Sequence, residues 1–311
     1  MLGLPLAAVS GMVYGAAGLL NDGRLTELAL LIVGRILMGL GESLFLTGLM
    51  TWGIGRLGAA RTGVVMSWTG IAIYAAIGLG ASAGLACQAT GGLAAVGGLM
   101  VVVPLLAMAI IAPLPAVPAA IGARRVPFHQ MFGLIWRFGS VLALATVPFA
   151  AMSAFLTLDY AVRGWPHAGS TLAAFAAAYI AVRLFRAHLP DRLGAAKVAS
   201  GSLLLETIGQ VLVWAAPDPA VAIAGTILTG LGFSLIFPCM GVLATQAVPP
   251  DLRGRALGNF IAFADMALGL TGPLVGIVTH WSGIATAFLI GAIATGAALC
   301  LLPQINARTT Q

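Results

Sequence analysis

Charged side chains are what this sequence most lacks. Asp, Glu, Lys and Arg make up 8% of its 311 residues, whereas hydrophobic residues make up 60%. Soluble domains carry roughly 25% charged residues. The mean hydropathy is +1.05, and a soluble fold of this length cannot bury so much apolar surface. The composition therefore excludes a soluble protein and predicts that the lipid bilayer is the solvent.

Cysteine and histidine are also scarce, which excludes several kinds of site. The three cysteines lie in or at the ends of apolar runs, at spacings that suit neither zinc nor a disulfide framework. The four histidines all fall in predicted turns, and the chain contains no H-E-x-x-H sequence. Ser43, in a Gly-Glu-Ser sequence, is reminiscent of a serine nucleophile, but no histidine lies at its depth. The sequence predicts no metal site, no cofactor, no catalytic residues and no enzyme activity.

Long apolar runs dominate what is present. A helix of about 20 apolar residues spans a bilayer, and a backbone in lipid must satisfy its hydrogen bonds as a helix or a closed barrel. Because these runs do not alternate polar and apolar residues as barrel strands do, they predict helices. We expect ten of them, at residues 3–20, 26–54, 63–87, 93–114, 131–158, 168–187, 196–216, 220–246, 255–279 and 283–303.

The few positive charges are divided unevenly between the two sets of turns. Arg24 and Arg163 lie in one set. The other set holds Arg56, Arg61, Arg124, Arg125, Arg186, Arg192, Lys197, Arg253 and Arg255, with Arg308 in the tail. Since cytoplasmic loops are enriched in Lys and Arg, the second set and both termini are predicted to be cytoplasmic. No turn concentrates enough charge to bind nucleic acid, so a nucleic-acid partner is not expected.

A glycine-rich phrase occurs twice, in the second and eighth predicted helices. Residues 34–45 read GRILMGLGESLF and residues 225–236 read GTILTGLGFSLI, an offset of 225 − 34 = 191 residues. Such a long-range repeat indicates an internally duplicated membrane protein. The copies lie six helices apart, so the repeat unit is six helices. The second unit is then complete, while the first lacks its opening two helices.

The predicted organisation follows from this repeat. It comprises an incomplete four-helix bundle at residues 1–114, a cytoplasmic linker at 115–130 and a six-helix bundle at 131–311. The linker reads PAVPAAIGARRVPFHQ, which is rich in Pro, Ala and Arg. Two explanations for the missing helices stay open at this point, a truncated protein and a start codon assigned too late.

A six-plus-six chain with a long cytoplasmic connection resembles the major facilitator superfamily, and three stretches carry the resemblance. Residues 187–197, AHLPDRLGAAK, resemble the family's loop motif G-x-L-x-D-R-x-G-R-[KR], with alanines replacing the first glycine and the late basic residues. Residues 34–41 resemble the motif of family helix four, an arginine followed by glycines. The glycine-rich runs at 78–84 and 269–276 resemble those of family helices five and eleven.

The resemblance covers the whole chain as family helices three to twelve. It is closest to bacterial drug and sugar efflux permeases. It implies an all-α, two-bundle membrane protein of the bacterial inner membrane. It also implies that the chain moves a small solute by alternating access, with protons as the coupling ion and efflux as the direction.

The loop motif indicates a conformational latch. A carboxylate at a cytoplasmic turn can accept hydrogen bonds from a helix N-terminus and pair with arginine, and such a contact can join helices in one state and break in the other. An ordinary solvated charge is the alternative. The predicted latch consists of Asp191, Arg192, Gly194, Arg253 and Arg255.

Charged residues at bilayer depth point to the transport pathway, because each costs at least ~2.5 kcal/mol at a helix centre. Arg35 and Glu42 are seven residues apart, which places them on one helix face about 10 Å apart. They either face a cavity or form a structural ion pair. Asp265 lies in the middle of the ninth helix, and Tyr74 is its repeat partner, since 265 − 74 = 191. These four residues form the predicted substrate and proton pathway.

Two of these residues, Glu42 and Asp265, are candidates to load and release the coupling proton. Glu206 is also deep, but it lies on family helix nine, so a helix–helix hydrogen bond is as good an interpretation as a transport role. Arg183, near the cytoplasmic end of its helix, is expected to extend its charge toward water.

The function predicted from these observations is secondary active transport of a small solute. The expected partners are the lipid bilayer, the solute and protons. One alternative is a non-transporting remnant of such a permease. Another is a ten-helix drug/metabolite-type transporter, although that architecture duplicates five helices and the offset here spans six.

Overall fold

The computed structural model of the chain describes residues 2–20, 23–58, 61–115, 128–166, 168–249 and 252–309. Within these residues the regular elements longer than a turn are α-helices. They are α1 Gly3–Leu19, α2 Arg24–Leu57, α3 Thr62–Ile111, α4 Phe128–Arg163, α5 Ala168–Arg186, α6 Leu189–Leu193, α7 Ala195–Ala215, α8 Pro219–Gln246, α9 Arg253–Ser282 and α10 Thr286–Thr309.

The helices confirm the prediction of an all-α membrane protein. Among the described residues, 7 helices are long and apolar enough to cross a membrane. Three shorter apolar helices, Gly3–Leu19, Val64–Gly80 and Thr286–Leu302, fall on the first, third and tenth predicted segments. The number of helices that cross the bilayer stays a prediction.

A kink inside α3 separates two of the predicted helices. Gly91 (φ −145°, ψ 18°) and Gly92 (φ 61°, ψ −153°) leave the helical conformation. The conformation of Gly92 is open essentially to glycine alone. The sequence predicts a break between residues 87 and 93, and the structure places the bend at this pair.

Two details differ from the prediction. Helix α4 begins at Phe128, inside the stretch predicted as a linker, while residues 116–127 of that stretch lie outside the described residues. The short helix α6 forms within the predicted loop after α5, because Pro190 suits the first turn of a helix and a glycine ends it at residue 194.

The chain divides into two compact units. Unit 1 comprises Met1–Thr69 and Leu79–Ala119, and unit 2 comprises Gly70–Gly78 and Ala120–Gln311. In unit 1, α1 packs on α2. In unit 2, α8 packs on α7 and α5, while α4 packs on α9 and α10. The predicted bundle boundaries stay a prediction.

The glycines of the repeated phrase bring helix backbones together in unit 1. A Cβ added to Gly41 of α2 would lie 2.8 Å from the Gly3 carbonyl oxygen and 2.9 Å from the Ala7 nitrogen of α1. A Cβ at Gly34 would lie 3.0 Å from the Tyr14 ring, and the Ser10 hydroxyl donates a 2.7 Å hydrogen bond to the Gly34 carbonyl. Small residues at such crossings allow close helix packing in lipid.

The second copy of the phrase has the same role in unit 2. A Cβ at Gly225 of α8 would lie 2.6 Å from the Gly209 carbonyl oxygen of α7. A Cβ at Gly232 would meet the Ser202 carbonyl and lie 2.7 Å from the Glu206 nitrogen. The phrase therefore joins α2 to α1 and α8 to α7 in the same way, as expected of a duplicated fold.

Four of the six glycines in the family-like runs behave differently, while Gly78 and Gly276 make only ordinary van der Waals contacts at 3.8 Å. A Cβ at Gly80, Gly84, Gly269 or Gly272 would have no described atom within 4 Å outside its own helix turn. Within the described residues, these four glycines make no close helix contact, whereas Gly34, Gly41, Gly225 and Gly232 of the repeated phrase do.

Gly225→Ala should destabilise the protein, because its methyl group would overlap the Gly209 carbonyl. Overpacking of this kind costs about 1–3 kcal/mol. The matched control is Gly201→Ala, since Gly201 is exposed on α7 with nothing within 4 Å of its added Cβ. Thermal unfolding of the purified protein in detergent measures both. Equal unfolding temperatures for the two variants would contradict the packing role of Gly225.

Candidate functional site

Arg35 and Glu42 lie on the exposed part of α2. Both side chains are exposed, and each follows a glycine of the repeated phrase that packs on α1. Among the described residues, the structure shows no ion pair between them. The alternative of a structural Arg35–Glu42 pair is therefore not supported, and the 10 Å expected from their seven-residue spacing explains why.

Asp265 occupies a comparable position on α9 in unit 2. Its side chain is exposed, in the middle of a helix that runs from Arg253 to Ser282. The neighbouring Met266 is 60% exposed, so this part of α9 is an apolar surface interrupted by one carboxylate. The role of Asp265 in the pathway stays a prediction.

Tyr74 lies in a cluster of aromatic rings within unit 2. Its ring centre is 3.8 Å from that of Tyr179 and 5.3 Å from that of Phe149. Phe175 and Phe233 complete the group, at 5.9 and 6.1 Å. We call these five residues the Tyr74 cluster. Tyr74 is buried whereas its repeat partner Asp265 is exposed, so the two equivalent positions have different surroundings.

Arg183 sits beside this cluster. Its guanidinium donates a 2.8 Å hydrogen bond to the Tyr179 hydroxyl, and its Cζ lies 5.1 Å from the centre of the same ring. A Cβ at Gly70 would lie 3.3 Å from the Arg183 Nη1. The side chain is 3% exposed, so the expectation that it extends toward water is wrong. The four-residue spacing to Tyr179 is the sequence signal that could have indicated the contact.

Glu206, for which the sequence leaves a helix–helix hydrogen bond and a transport role open, is also buried. It is 0% exposed on α7, and neither carboxylate oxygen has a hydrogen-bond partner among the described residues. The helix–helix hydrogen bond considered for Glu206 is therefore absent from this part of the chain.

Asp159 and Arg163 form an ion pair with each other at the end of α4. The Arg163 Nε lies 3.0 Å from the Asp159 carboxylate. The same guanidinium donates a 2.7 Å hydrogen bond to the Ala216 carbonyl and lies 4.7 Å from the Trp165 ring centre. These contacts join α4 to the end of α7, so we assign a structural role to the Asp159–Arg163 ion pair.

Three residues of the predicted latch, Asp191, Arg192 and Gly194, lie between α5 and α7, whereas Arg253 and Arg255 lie in the first turn of α9. Helix α6 carries Asp191 and Arg192, and Gly194 at its end has φ +87°, a conformation that favours glycine. Arg192 and Arg253 are exposed. The side chains of Asp191 and Arg255 lie outside the described residues, so their pairing stays a prediction.

Apolar helices joined by glycine contacts, with charged side chains at mid-helix depth, define a polytopic membrane transport protein. Residues 138–310 match the model of the Major Facilitator Superfamily. A transporter of this type from Salmonella typhimurium is 42% identical over 286 residues, which cover 92% of this chain and 73% of the relative. One from Pseudomonas aeruginosa is 43% identical over 309 residues, covering 99% and 77%. The chain belongs to the Major Facilitator Superfamily.

A solved structure shows the same fold. The Escherichia coli fucose:proton symporter FucP has a TM-score of 0.67 at 19% identity, covering 98% of this chain and 82% of the symporter. The resemblance to the superfamily is thus confirmed, and with it the prediction of a membrane transporter that is not an enzyme. A ten-helix drug/metabolite-type transporter is excluded.

Proposed function

We propose that this chain is a secondary active transporter that exports a small solute across the bacterial inner membrane by alternating access, in exchange for protons. The observation that carries the proposal is the exposure of Arg35, Glu42 and Asp265 in the middle of apolar helices. A charged side chain facing lipid at this depth costs about 2.5–3.5 kcal/mol. Such faces are stable beside water or other protein, so we assign them to the solute pathway.

The three charges have separate roles in this proposal. Glu42 in unit 1 and Asp265 in unit 2 are the carboxylates that take up and release protons. Arg35, on the same helix as Glu42, provides positive charge for an anionic or hydrogen-bonding group of the solute. Tyr74 borders the pathway through its phenol, with its ring held by the aromatic cluster.

The direction and the coupling ion rest on different observations. Efflux rests on the resemblance of the motifs to drug and sugar efflux permeases. Proton coupling rests on the mid-helix carboxylates, and the fold neighbour FucP is itself a fucose:proton symporter. A non-transporting remnant is less favoured, because the relatives at 42% and 43% identity are themselves named as transporters.

The uneven distribution of Arg and Lys between the two sets of turns supports a proposed orientation, with both termini and the α5–α7 connection in the cytoplasm. Single cysteines in a chain lacking Cys87, Cys239 and Cys300 test it. Ser282→Cys, an exposed position at the end of α9, should react with a membrane-impermeant maleimide on intact cells. Arg192→Cys should react only after permeabilisation. Labelling of position 192 alone on intact cells would invert the proposed orientation.

The latch is the second element of the mechanism. We propose that Asp191 holds the cytoplasmic ends of helices together in one conformation through Arg192, Gly194, Arg253 and Arg255. Asp191→Asn removes a charge whose contact with a helix end is worth up to ~2 kcal/mol when partly buried. We expect this variant to lose most of its transport in vesicles while its unfolding temperature stays unchanged.

Asp218→Asn is the matched control for that experiment. Asp218 accepts a 3.0 Å hydrogen bond from the Val221 nitrogen at the start of α8, and asparagine caps a helix equally well. The control should transport normally. Normal transport by Asp191→Asn as well would make Asp191 an ordinary turn residue.

Proton coupling is tested in everted membrane vesicles, with a respiratory pH gradient reported by acridine orange. Addition of a substrate from a panel of ethidium, chloramphenicol and isopropyl thiogalactoside should dissipate the gradient. Glu42→Gln and Asp265→Asn keep the size of the side chain and remove its titratable group. In the variant whose residue carries the proton, dissipation of the pH gradient should therefore fall at least tenfold. Downhill exchange of the same solute should survive.

Glu27→Gln is the control for the carboxylate variants, since Glu27 is exposed in the first turn of α2. It should dissipate the gradient like the wild type. If both Glu42→Gln and Asp265→Asn do the same, neither residue carries the coupling proton, and their charges contact the solute instead.

A further inference from the structure

The contact between α7 and α8 contains a row of buried polar side chains. Ser202, Glu206 and Gln210 follow one another at four-residue spacing on one face of α7 and are 5%, 0% and 0% exposed. Both carboxylate oxygens of Glu206 and the amide oxygen of Gln210 have no hydrogen-bond donor among the described residues. This part of the contact therefore has three acceptor oxygens and no donor for them.

The orientation of the Gln210 amide is determined by its neighbours. Its Nε2 donates a 3.1 Å hydrogen bond to the Thr229 hydroxyl of α8, and that hydroxyl donates a 2.9 Å hydrogen bond to the Gly225 carbonyl. Reversing the amide would require the Thr229 hydroxyl to turn away from Gly225 and donate to the amide oxygen instead. In this orientation the Gln210 oxygen is an acceptor without a donor among the described residues, and the excess of acceptors favours a positively charged ligand.

No cation balances Glu206 within the described contacts of α7. Lys197 of α7 and Arg192 of α6 are exposed, and Lys197 lies nine residues away, about 13 Å along the axis. The other ionisable residues on the helices packed on α7 are Asp191 of α6; Cys239 of α8; Cys300 and Arg308 of α10; and His129, Arg137, Asp159, Tyr160 and Arg163 of α4. Asp159 and Arg163 pair with each other. Beyond α8, α5 carries Tyr179, Arg183 and Arg186, and Tyr74 packs on Tyr179.

The internal repeat shows that the carboxyl group is not needed for packing. In unit 1, Gly41 lies against Gly3 and Ala7, while in unit 2 Gly232 lies against Ser202 and Glu206. Ala7 is therefore the counterpart of Glu206, and it is buried as well, at 6% exposure. The same helix contact forms with a methyl group, so a carboxyl here requires another explanation.

We propose that Glu206 is a further binding site for the coupling proton, in addition to the carboxylates of the solute pathway. The carboxyl group is neutral while α7 packs on α8 as in this structure, and it releases its proton when the two helices separate and admit water. A proton is the ligand that fits, because the close approach of Gly232 to the α7 backbone leaves little room beside Glu206. The proposal rests on the proton-coupled transport proposed above.

The infrared spectra of the purified wild type and of Glu206→Gln, compared at neutral pH, test the protonation of Glu206 without any solute. The wild type at neutral pH should show the carbonyl-stretch band of a protonated carboxylic acid, and Glu206→Gln should lack that band. Glu27→Gln, which changes an exposed carboxylate, should keep it. A spectrum of Glu206→Gln identical to that of the wild type would overturn the proposal.

Transport in the everted vesicles tests the coupling role. Glu206→Gln keeps the size of a neutral carboxyl, so downhill exchange of whichever of ethidium, chloramphenicol or isopropyl thiogalactoside is exported should continue. Dissipation of the pH gradient by that solute should fall at least tenfold. A merely structural role would reduce both activities together, and that result would also overturn the proposal.

The two proposals fail in different ways. Wild-type transport that ignores the pH gradient would overturn proton-coupled export and the coupling role of Glu206 together. Gradient-driven transport that is present in the wild type and intact in Glu206→Gln would overturn this inference alone.

Discussion

The cost of an unsatisfied polar group in hydrocarbon is the constraint on which this structure depends. With no water at membrane depth, every backbone group must be bonded within a helix, and side chains with hydroxyl groups must find acceptors. Thr69, Thr146 and Ser153 each donate a 2.8 Å hydrogen bond to the carbonyl four residues earlier on their own helix. Such hydroxyls carry no functional signal, because the helix that bears them already satisfies them.

The same constraint makes close helix contact the main source of specificity. Lipid tails are as apolar as the helices, so burial of leucine does not by itself favour one helix pairing over another. The repeated phrase provides the missing specificity, because its glycines let α2 approach α1 and α8 approach α7 until backbone atoms touch. Two units with similar composition can thereby form the same helix pairs.

This physics explains how much could be predicted from the sequence. Apolar runs predict helices because length and hydropathy suffice, and the turn between residues 87 and 93 was predictable from its glycines. The partners of individual side chains were not. Arg183 lies in an apolar segment beside Tyr179, and nothing in the local pattern shows that its charge stays buried. The α6 helix was missed because LPDRL has the composition of a loop.

The two units also show what duplication preserves and what it leaves free to change. At the packing positions, Gly34 and Gly225 keep the same role, as do Gly41 and Gly232. At equivalent positions that do not determine the packing, the units differ, with Ala7 opposite Glu206. Tyr74 and Asp265 differ in the same manner, one inside an aromatic cluster and the other exposed.

Glu206 is a polar side chain at a helix contact that forms in unit 1 with Ala7 in its place, so the fold does not explain why a carboxyl group is present. Its burial is costly, since an uncompensated charge in such a place would destabilise the unit by several kcal/mol. The repeat therefore acts as an internal control within a single chain. Side chains that both copies share belong to the scaffold, whereas polar side chains that only one copy carries are the ones for which a role in transport has to be sought.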